Sequence, residues 1–372
     1  MVLSTSSVMD LQQGKSPYRD FIVQLIGVLV GVPVLWVASR AQPRLFRALA
    51  YPLLAVSVIG LCLVLIPGVG TGDGTTATRW IALGPISFQP SELAKLALAV
   101  WGADLLARKE RLGMLADWRH MLVPLLPGTS VLALLVMGGD DLGTTSILLL
   151  IFLALLWTVG TPGRVFSALL ILMGLVVVLL IVAESYRSAR LTMFFSNSTN
   201  PFGPNQQPIQ GKYALGSGGL FGVGLGASRE KWGYVPESTT DFIFAILGEE
   251  LGLLGTLCVT ALYGALAWAG LRVARRVPDT FSKLLAATIT VWIVGEAIIN
   301  IGAVIGLLPI TGVPLPLVSQ GLSSVLVTMV GLGMLMSFAR REPGASQALS
   351  ARAASARGRP LSWAGRRRRR RR

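Results

Sequence analysis

The sequence predicts an all-α polytopic membrane protein with ten transmembrane helices, the first of them incomplete. Of the 372 residues, 53% are hydrophobic and 14% are charged, whereas an average soluble domain has about 25% charged residues. A bilayer core of roughly 30 Å needs about 20 apolar residues at 1.5 Å per residue, and nine runs meet or approach that length. They cover residues 20–39, 47–66, 91–107, 120–137, 144–161, 165–185, 242–271, 284–307 and 317–338.

The first nine residues are apolar but too short to cross a membrane. They are interpreted as the end of a further helix whose beginning is missing from this sequence. A cleaved signal peptide is the weaker alternative, because no basic region precedes the apolar residues.

A large loop of about 55 residues, 186–240, separates the seventh and eighth predicted helices. Loops of this length are either functional or disordered, and its many aromatic residues favour an ordered one. Its glycine-rich part, 216–226, superficially resembles a dinucleotide-binding loop, but no strand precedes it. Tight turns and re-entrant backbone are the preferred interpretation, and an amide nest for phosphate oxygens stays open as the alternative.

Lys and Arg residues concentrate in alternate loops and in the segment after residue 341. Because cytoplasmic loops carry the excess of positive charge, we expect a cytoplasmic C-terminus. We expect residues 1–341 to form the transmembrane domain and 342–372 a disordered basic tail, attracted to anionic lipid rather than to nucleic acid. The loops predicted on the opposite, extracytoplasmic face are 67–90, 138–143, 186–240 and 308–316.

Several enzyme classes are excluded by residue counts. The two cysteines, Cys62 and Cys258, lie in apolar runs and provide neither a disulfide framework nor the spacing of a metal site. Because His120 is the only histidine in the sequence, a histidine-based triad or a zinc site is not expected. The chemistry must therefore depend on carboxylates, amides, hydroxyls and basic side chains.

Acidic residues gather where the long loop ends and the eighth helix begins. Thr239 or Thr240 can cap that helix, which puts Asp241 in its first turn at the membrane–water boundary. An acidic residue there also stabilises the helix dipole without any further function, so both interpretations stay open. Glu249 and Glu250 lie two turns deeper, where a charge needs a partner or a wet cavity. Glu249 and Glu250 therefore strengthen the case that this helix is a functional element.

Two other polar clusters interrupt apolar runs. Glu92 and Lys95 are neighbours on one helix face, and they form either a self-neutralising pair or a site where Lys95 meets an anionic headgroup or a distant carboxylate. Asn300 follows Glu296 by one turn and precedes a segment, 306–324, that is rich in Pro and Gly. Such a segment at membrane depth is either a kinked connector or irregular backbone that faces protein or water.

Ten short strings of this sequence match a known family pattern. They lie at residues 79–80, 88–95, 141–144, 190–191, 207–210, 214–220, 236–237, 240–245, 248–250 and 300–324. Taken together, they resemble the SEDS (shape, elongation, division and sporulation) family, which includes FtsW, RodA and SpoVE. The opening residues look like the end of the first helix in the division-type branch. Two departures stand out: Gly139 and Asp140 replace the usual Gln-Pro before Asp141, and Leu322 replaces a glycine.

The resemblance implies a peptidoglycan glycosyltransferase that polymerises lipid II on the outer face of the cytoplasmic membrane. It implies that Asp241 is the essential aspartate, that Lys95 and Glu92 line a central cavity, and that Glu237 is an important loop carboxylate. The candidate substrate-binding residues, all from the matching strings, are Lys95, Glu92, Arg79, Arg190, Glu237, Gln207, Gln210, Ser319 and Ser323.

The expected chemistry is compatible with one carboxylate base. The acceptor sugar hydroxyl loses its proton to Asp241 as it attacks the donor anomeric carbon, and direct displacement inverts that centre. Pyrophosphate leaves without a protonating acid, unlike the leaving group in glycosidases. Its negative charge requires Lys95, Arg79 or Arg190, or a divalent cation such as Mg²⁺ or Mn²⁺.

The resemblance also implies a partner, a class B penicillin-binding protein with transpeptidase activity, together with other division or elongation proteins. Two rival functions stay open at this point. Intramembrane Glu, Lys and Asn residues also mark substrate pathways in a lipid flippase, although only one broken region is evident instead of the paired broken helices of transporters. A non-catalytic scaffold for a cell-wall synthase would make Asp241 dispensable.

Overall fold

The computed structural model is a bundle of long helices with a small sheet at one end. It describes residues 2–12, 14, 16–71, 78–84, 86–183, 188, 192, 194 and 206–345. The predicted tail beyond residue 345 and most of residues 184–205 lie outside the described residues. The helices are α1 (Val2–Gln12), α2 (Arg19–Arg40), α3 (Pro43–Val64), α4 (Pro90–Arg111), α5 (Trp118–Leu122), α6 (Leu125–Gly138), α7 (Leu142–Val159), α8 (Gly163–Ala183), α9 (Gln206–Ser217), α10 (Ile243–Arg276), α11 (Thr280–Val304) and α12 (Leu322–Ala339).

Eight candidate spans among the described residues are long and apolar enough to cross a membrane, with α5 and α6 together forming one of them. They correspond to eight of the nine predicted runs. The ninth run is α4, which carries Glu92, Lys95 and Asp104 and is almost entirely buried. Helix α4 tolerates these charges because its packing against α3, α7 and α11 removes them from lipid. The total of ten transmembrane helices stays a prediction.

A three-stranded antiparallel sheet occupies the first predicted loop, which the all-α prediction missed. The strands are β1 (Gly70–Thr71), β2 (Trp80–Leu83) and β3 (Ile86–Phe88), in the order β1-β2-β3. The register places Ile81 opposite Phe88, and Gly84 takes a left-handed conformation at the turn between β2 and β3. The strands are too short to be distinguished by their sequence pattern from an ordinary loop.

Helix α10 is broken at Gly252, where the prediction has one continuous span. Gly252 has φ 68° and ψ −164°, which is not helical. The two parts of α10 approach each other closely at this break: a Cβ built at Gly248 would lie 3.2 Å from Thr256 Cγ2, whereas eight residues of continuous helix span about 12 Å. Only glycine adopts this backbone conformation readily. The part of α10 before the break therefore need not follow the direction of the part after it.

The loops predicted to share one face meet at one end of the bundle, which we call the site end. Arg79 donates to the Asp140 carbonyl at 2.7 Å, which joins the first loop to the turn between α6 and α7. The Asn300 amide joins the start of α10 to the connector between α11 and α12. The opposite end, called the basic end, carries the ion pairs Arg47–Asp279, Arg272–Glu342 and Arg276–Glu342.

Candidate active site

Asp241 lies at the site end, two residues before the first residue of α10, and its side chain is half-buried. The prediction that Thr239 or Thr240 caps α10 is wrong. Phe242 occupies the N-cap position without a side-chain cap among the described contacts, and the Thr240 hydroxyl donates to Glu237 Oε2 at 2.8 Å. Asp241 therefore belongs to a turn that precedes the helix instead of to its first turn.

The backbone of this turn is held by three hydrogen bonds to successive carbonyls. The backbone amide of Gln320 donates to the Thr239 carbonyl at 3.0 Å, and the Ser319 hydroxyl donates to the Thr240 carbonyl at 2.5 Å. The side-chain amide of Asn300 donates to the Asp241 carbonyl at 2.8 Å. Because three consecutive carbonyls accept these hydrogen bonds, the position from which the Asp241 side chain projects is well defined.

The irregular connector between α11 and α12 supplies most of these contacts and is itself held in place. Asn300 also donates to the Val313 carbonyl at 2.7 Å, and Ser319 accepts from the Leu315 amide at 2.8 Å. Tyr263 of α10 donates its hydroxyl proton to the Pro316 carbonyl. The backbone groups that the prolines and glycines free are thus satisfied by polar side chains, as irregular backbone at membrane depth requires.

Gly312 approaches the Asp241 carboxylate most closely among the glycines of the connector. It has φ 72°, in the left-handed region, and a Cβ at this position would lie 3.6 Å from Asp241 Oδ2. Any larger residue at position 312 would meet both backbone strain and the carboxylate. The connector therefore forms one wall of the space around Asp241.

The loop that precedes Asp241 contains three further predicted site residues. Glu237 is exposed, with φ 55°, and accepts from Thr240. Gln207 on α9 donates to the Pro236 carbonyl at 3.3 Å, whereas Gln210 is buried. A Cβ at Gly211 would lie 2.7 Å from the Phe242 ring, so α9 packs directly against the start of α10. Residues 206–240 of the predicted loop thus pack against the start of α10.

Lys95 and Glu92 form a fully buried triad with Glu296 of α11. Lys95 Nζ lies 2.8 Å from Glu92 Oε1 and also donates to Glu296 Oε1. Its ammonium lies 5.5 Å from the centre of the Trp292 ring. All three charged residues are about 1% exposed. Both alternatives for Lys95 are thus realised together, a local pair with Glu92 and a contact with a distant carboxylate.

Arg79, Ser323 and the acidic turn before α7 form a third group at the site end. Arg79 is half-buried and donates to the carbonyls of Gly139 and Asp140. Asp141 caps α7 by accepting from the Thr144 amide at 2.9 Å. The Ser323 hydroxyl accepts from the Gln89 amide at 3.1 Å, which joins α12 to the start of α4. Arg190, the remaining predicted residue, lies outside the described residues.

The glycine-rich segment, residues 216–226, is a series of turns packed against α10, as the preferred interpretation has it. Glu249 accepts from the Ser228 hydroxyl, from the Arg229 amide at 2.9 Å and from the Glu230 amide at 3.4 Å. Burial and the nearby Glu249 carboxylate raise the pKa of Glu230 above its ordinary value. Glu249 therefore satisfies loop donors instead of facing lipid.

Glu250 is paired on the other side of the same segment. It accepts from Ser4 of α1 at 2.5 Å and lies 3.2 Å from Lys231 Nζ. Lys231 also donates to Ser4 at 2.8 Å and to the Gly226 carbonyl at 2.7 Å. Glu249 and Glu250, which the sequence placed at membrane depth where a charge needs a partner, thus join the loop and α1 to α10.

The sequence pattern missed the polar residues of α2 that support the connector. Gln24 accepts from the Gly321 amide at 3.0 Å, and Asp20 accepts from the Gln320 side chain at 2.7 Å. The only available signal was a polar residue inside an apolar run. Leu322, one of the two departures from the family pattern, packs against Gly27 of α2, where a Cβ would lie 2.7 Å from Leu322 Cδ1.

The described residues provide no preformed cage for a metal ion. Within the described part of the chain, no group of three or more His, Cys, Asp or Glu side chains lies close enough to hold one. The carboxylates of Glu92 and Glu296 instead share the ammonium of Lys95. We therefore derive no step through Mg²⁺ or Mn²⁺.

These features define a class: a multi-pass helical membrane protein with a half-buried carboxylate and a separate buried charge triad. The chain belongs to the FtsW/RodA/SpoVE family of cell cycle proteins, whose family model matches residues 1–343. It is similar to the probable peptidoglycan glycosyltransferase FtsW of Mycobacterium tuberculosis, with 43% identity over 353 residues and 94% of this chain. The chain covers 66% of that relative's length, just under two thirds.

Two further relatives support the family and the fold. The probable peptidoglycan glycosyltransferase FtsW of Halothiobacillus neapolitanus is 35% identical over 349 residues, which cover 90% of this chain and 81% of the relative. A chain of a peptidoglycan synthase complex has 25% identity and a TM-score of 0.68, covering 91% of this chain and 96% of that one. The predicted polytopic helical fold and the predicted family are thereby confirmed.

Proposed function

We propose that this protein is a peptidoglycan glycosyltransferase that extends glycan strands from lipid II, with Asp241 as the general base. The observation that carries the proposal is the set of three hydrogen bonds to the carbonyls of Thr239, Thr240 and Asp241. A base must be held within hydrogen-bond reach of the hydroxyl that it deprotonates. The names of the mycobacterial and Halothiobacillus relatives support the same activity.

In this mechanism the Asp241 carboxylate removes the proton of the acceptor hydroxyl as the oxygen attacks the donor anomeric carbon. The bond from that carbon to the lipid pyrophosphate breaks, and the pyrophosphate leaves with the electron pair. Attack from the opposite face inverts the anomeric centre. General base catalysis of this kind contributes about 10²–10⁴-fold to a rate.

The leaving pyrophosphate needs a cation, and we assign this role to Arg79 and Arg190 rather than to Lys95. The ammonium of Lys95 is already neutralised by two carboxylates inside the bundle. Arg79 donates to two neutral carbonyls, so its positive charge is retained at the site end. Arginine also matches the geometry of phosphate oxygens. Glu237, Gln207, Gln210, Ser319 and Ser323 are proposed to shape and orient this space, whereas Glu92 is proposed to hold Lys95 inside the bundle.

The proposed setting is the cytoplasmic membrane, with the site end outside the cell and the C-terminus in the cytoplasm. The Arg-rich loops at the basic end support this orientation. The proposed partner is a class B penicillin-binding protein, together with division or elongation proteins. The similarity to a chain of a peptidoglycan synthase complex supports such a partner.

The experiment is polymerisation of labelled lipid II by the purified protein, with Asp241→Asn as the test variant. We expect a loss of at least about 100-fold in the rate of glycan formation, because the amide accepts no proton. Asp279→Asn is the matched control, since Asp279 caps α11 at the basic end and should retain most of the activity. Both variants are first compared for membrane expression and monodispersity.

The same assay separates the rival functions. Polymer formation by the native chain that Asp241→Asn abolishes supports the enzyme. Reorientation of the lipid II headgroup without any polymer would identify a flippase. Unchanged glycan synthesis in Asp241→Asn would overturn the proposed mechanism, and a native chain that neither polymerises nor reorients lipid II would indicate a scaffold.

A further inference from the structure

The glycine-rich loop presents a row of large apolar side chains that the proposed chemistry does not use. Leu220, Phe221 and Leu225 are 61%, 78% and 75% exposed, and Val223 between them is also exposed. Glycines at positive φ alternate with these residues, so the backbone turns repeatedly while the side chains face outward. A contiguous exposed apolar row on a polypeptide loop indicates an interaction surface.

The backbone of this loop is fastened to the break in α10. The Leu253 and Leu254 amides donate to the carbonyls of Gly219 and Leu220 at 2.9 and 3.3 Å. In return, the Val223 and Gly224 amides donate to the carbonyls of Glu249 and Glu250 at 2.9 and 3.1 Å. The non-helical Gly252 leaves these α10 groups available to the loop. Irregular backbone next to hydrocarbon is possible only when its polar groups are satisfied in this way.

The same break marks the expected surface of the bilayer. Arg272 ends an uncharged stretch of helix that begins after the break, residues 253–271, whose length of about 28 Å is close to a hydrocarbon core of roughly 30 Å. Within this stretch an exposed apolar stripe continues along α10 as far as the break. It consists of Leu253, Leu254, Leu257 and Trp268, which are exposed and lie within about 100° of one another around the helix.

The apolar row of the loop thus adjoins the lipid-facing stripe of α10 at the level where the uncharged stretch begins. Trp232 and Tyr234 are also exposed in the following turns, at 56% and 47%. Amphipathic rings of this type concentrate at membrane–water boundaries. The composition favours a lipid boundary over a purely aqueous or purely hydrocarbon environment.

We propose that residues 220–225 form an interfacial anchor that inserts Leu220, Phe221 and Leu225 into the leaflet at the site end. The occupant of this surface is the bilayer itself, at the boundary between headgroups and acyl chains. The anchor fixes the depth of the loop relative to the membrane surface. Through Glu249 and Glu250 it also fixes the depth of the first part of α10, which follows Asp241. The proposal stands whether or not the protein polymerises lipid II.

The test is the membrane depth of a fluorophore attached to single cysteines. In a background with Cys62→Ser and Cys258→Ser, the variants Phe221→Cys and Leu225→Cys are labelled with bimane and reconstituted in lipid nanodiscs. Arg229→Cys is the matched control, an exposed residue of the same loop outside the apolar row. Quenching is measured with nitroxide lipids labelled near the headgroup and with aqueous iodide.

We expect nitroxide lipids to reduce emission at positions 221 and 225 by roughly twofold or more, and iodide to quench mainly position 229. If iodide quenches all three positions alike and nitroxide lipids quench none, the loop faces water or protein and the anchor is wrong. If either labelled variant fails to give a monodisperse protein, Leu220→Cys provides the same measurement from the same row. Glycan synthesis is not part of this readout, so the two proposals fail independently.

Discussion

The site around Asp241 and the Glu92–Lys95–Glu296 triad differ in which polar groups are held by hydrogen bonds: backbone carbonyls at Asp241 and charged side chains in the triad. At Asp241 the described hydrogen bonds hold the backbone, through the carbonyls of three successive residues, and the side chain is half-buried at the end of the bundle. In the triad the side chains bond to one another in the core and are about 1% exposed. A held backbone positions a side chain for chemistry, whereas a closed ion cluster joins helices.

The largest expected effect comes from opening the triad. Lys95→Met removes the cation and leaves two carboxylates buried, so the free energy of unfolding should fall by about 3–5 kcal/mol. Denaturant titration of the purified protein in detergent measures it. In the triple variant with Glu92→Met and Glu296→Met, most of the lost stability should return. If the triple variant is no more stable than Lys95→Met, the buried charges are not the cause.

A smaller effect is expected from the residue that joins the two centres along α11. Asn300→Ala removes the donors to the Asp241 and Val313 carbonyls, and leaving buried carbonyls unpaired costs about 1–3 kcal/mol. Under the proposed function, kcat should fall more than KM changes, because Asn300 positions the base. Asn300→Asp keeps the size but lacks the donor, so recovery of kcat in that variant would contradict the hydrogen-bond explanation.

The next largest effect is expected for the three hydrogen bonds that join Glu249 of α10 to residues 228–230 of the loop. Glu249→Gln replaces an acceptor of three hydrogen bonds with a side chain that presents its own donor, at an expected cost of about 1–2 kcal/mol. Limited proteolysis should become faster within residues 218–232. Thr256→Ser keeps the hydroxyl that donates to the Leu253 carbonyl and leaves the Glu249 hydrogen bonds in place, so it serves as the control. Equal proteolysis of the native protein and Glu249→Gln would show that these hydrogen bonds do not hold the loop.

The smallest effect is expected at the basic end. Arg272 lies 3.8 Å from Glu342, and its side chain is 45% exposed, so solvent screens the pair. Arg272→Gln should change the free energy of unfolding by no more than about 0.5 kcal/mol. A loss as large as that of Lys95→Met would mean that exposure does not distinguish the two kinds of ion pair.

Much of the fold followed from hydropathy, because a bilayer accepts only segments of a given length and composition. The runs predicted eight candidate spans and also α4, even though α4 carries charges. The pattern failed where partners are distant in sequence. Gln24 and Gly321 are joined in the structure although 297 positions separate them, and no periodicity in either segment indicates this contact.

The sequence by itself determined that the chain is a polytopic helical protein of this family, because apolar run length and ordered motifs are local properties. Tertiary structure decided what the charged motif residues do. It closed Lys95 into a triad, fastened Glu249 and Glu250 to a loop and held the turn of Asp241 by its carbonyls. The physical reason is that the free energy of a buried charge depends on the partners within a few ångströms, and folding brings those partners from distant parts of the chain.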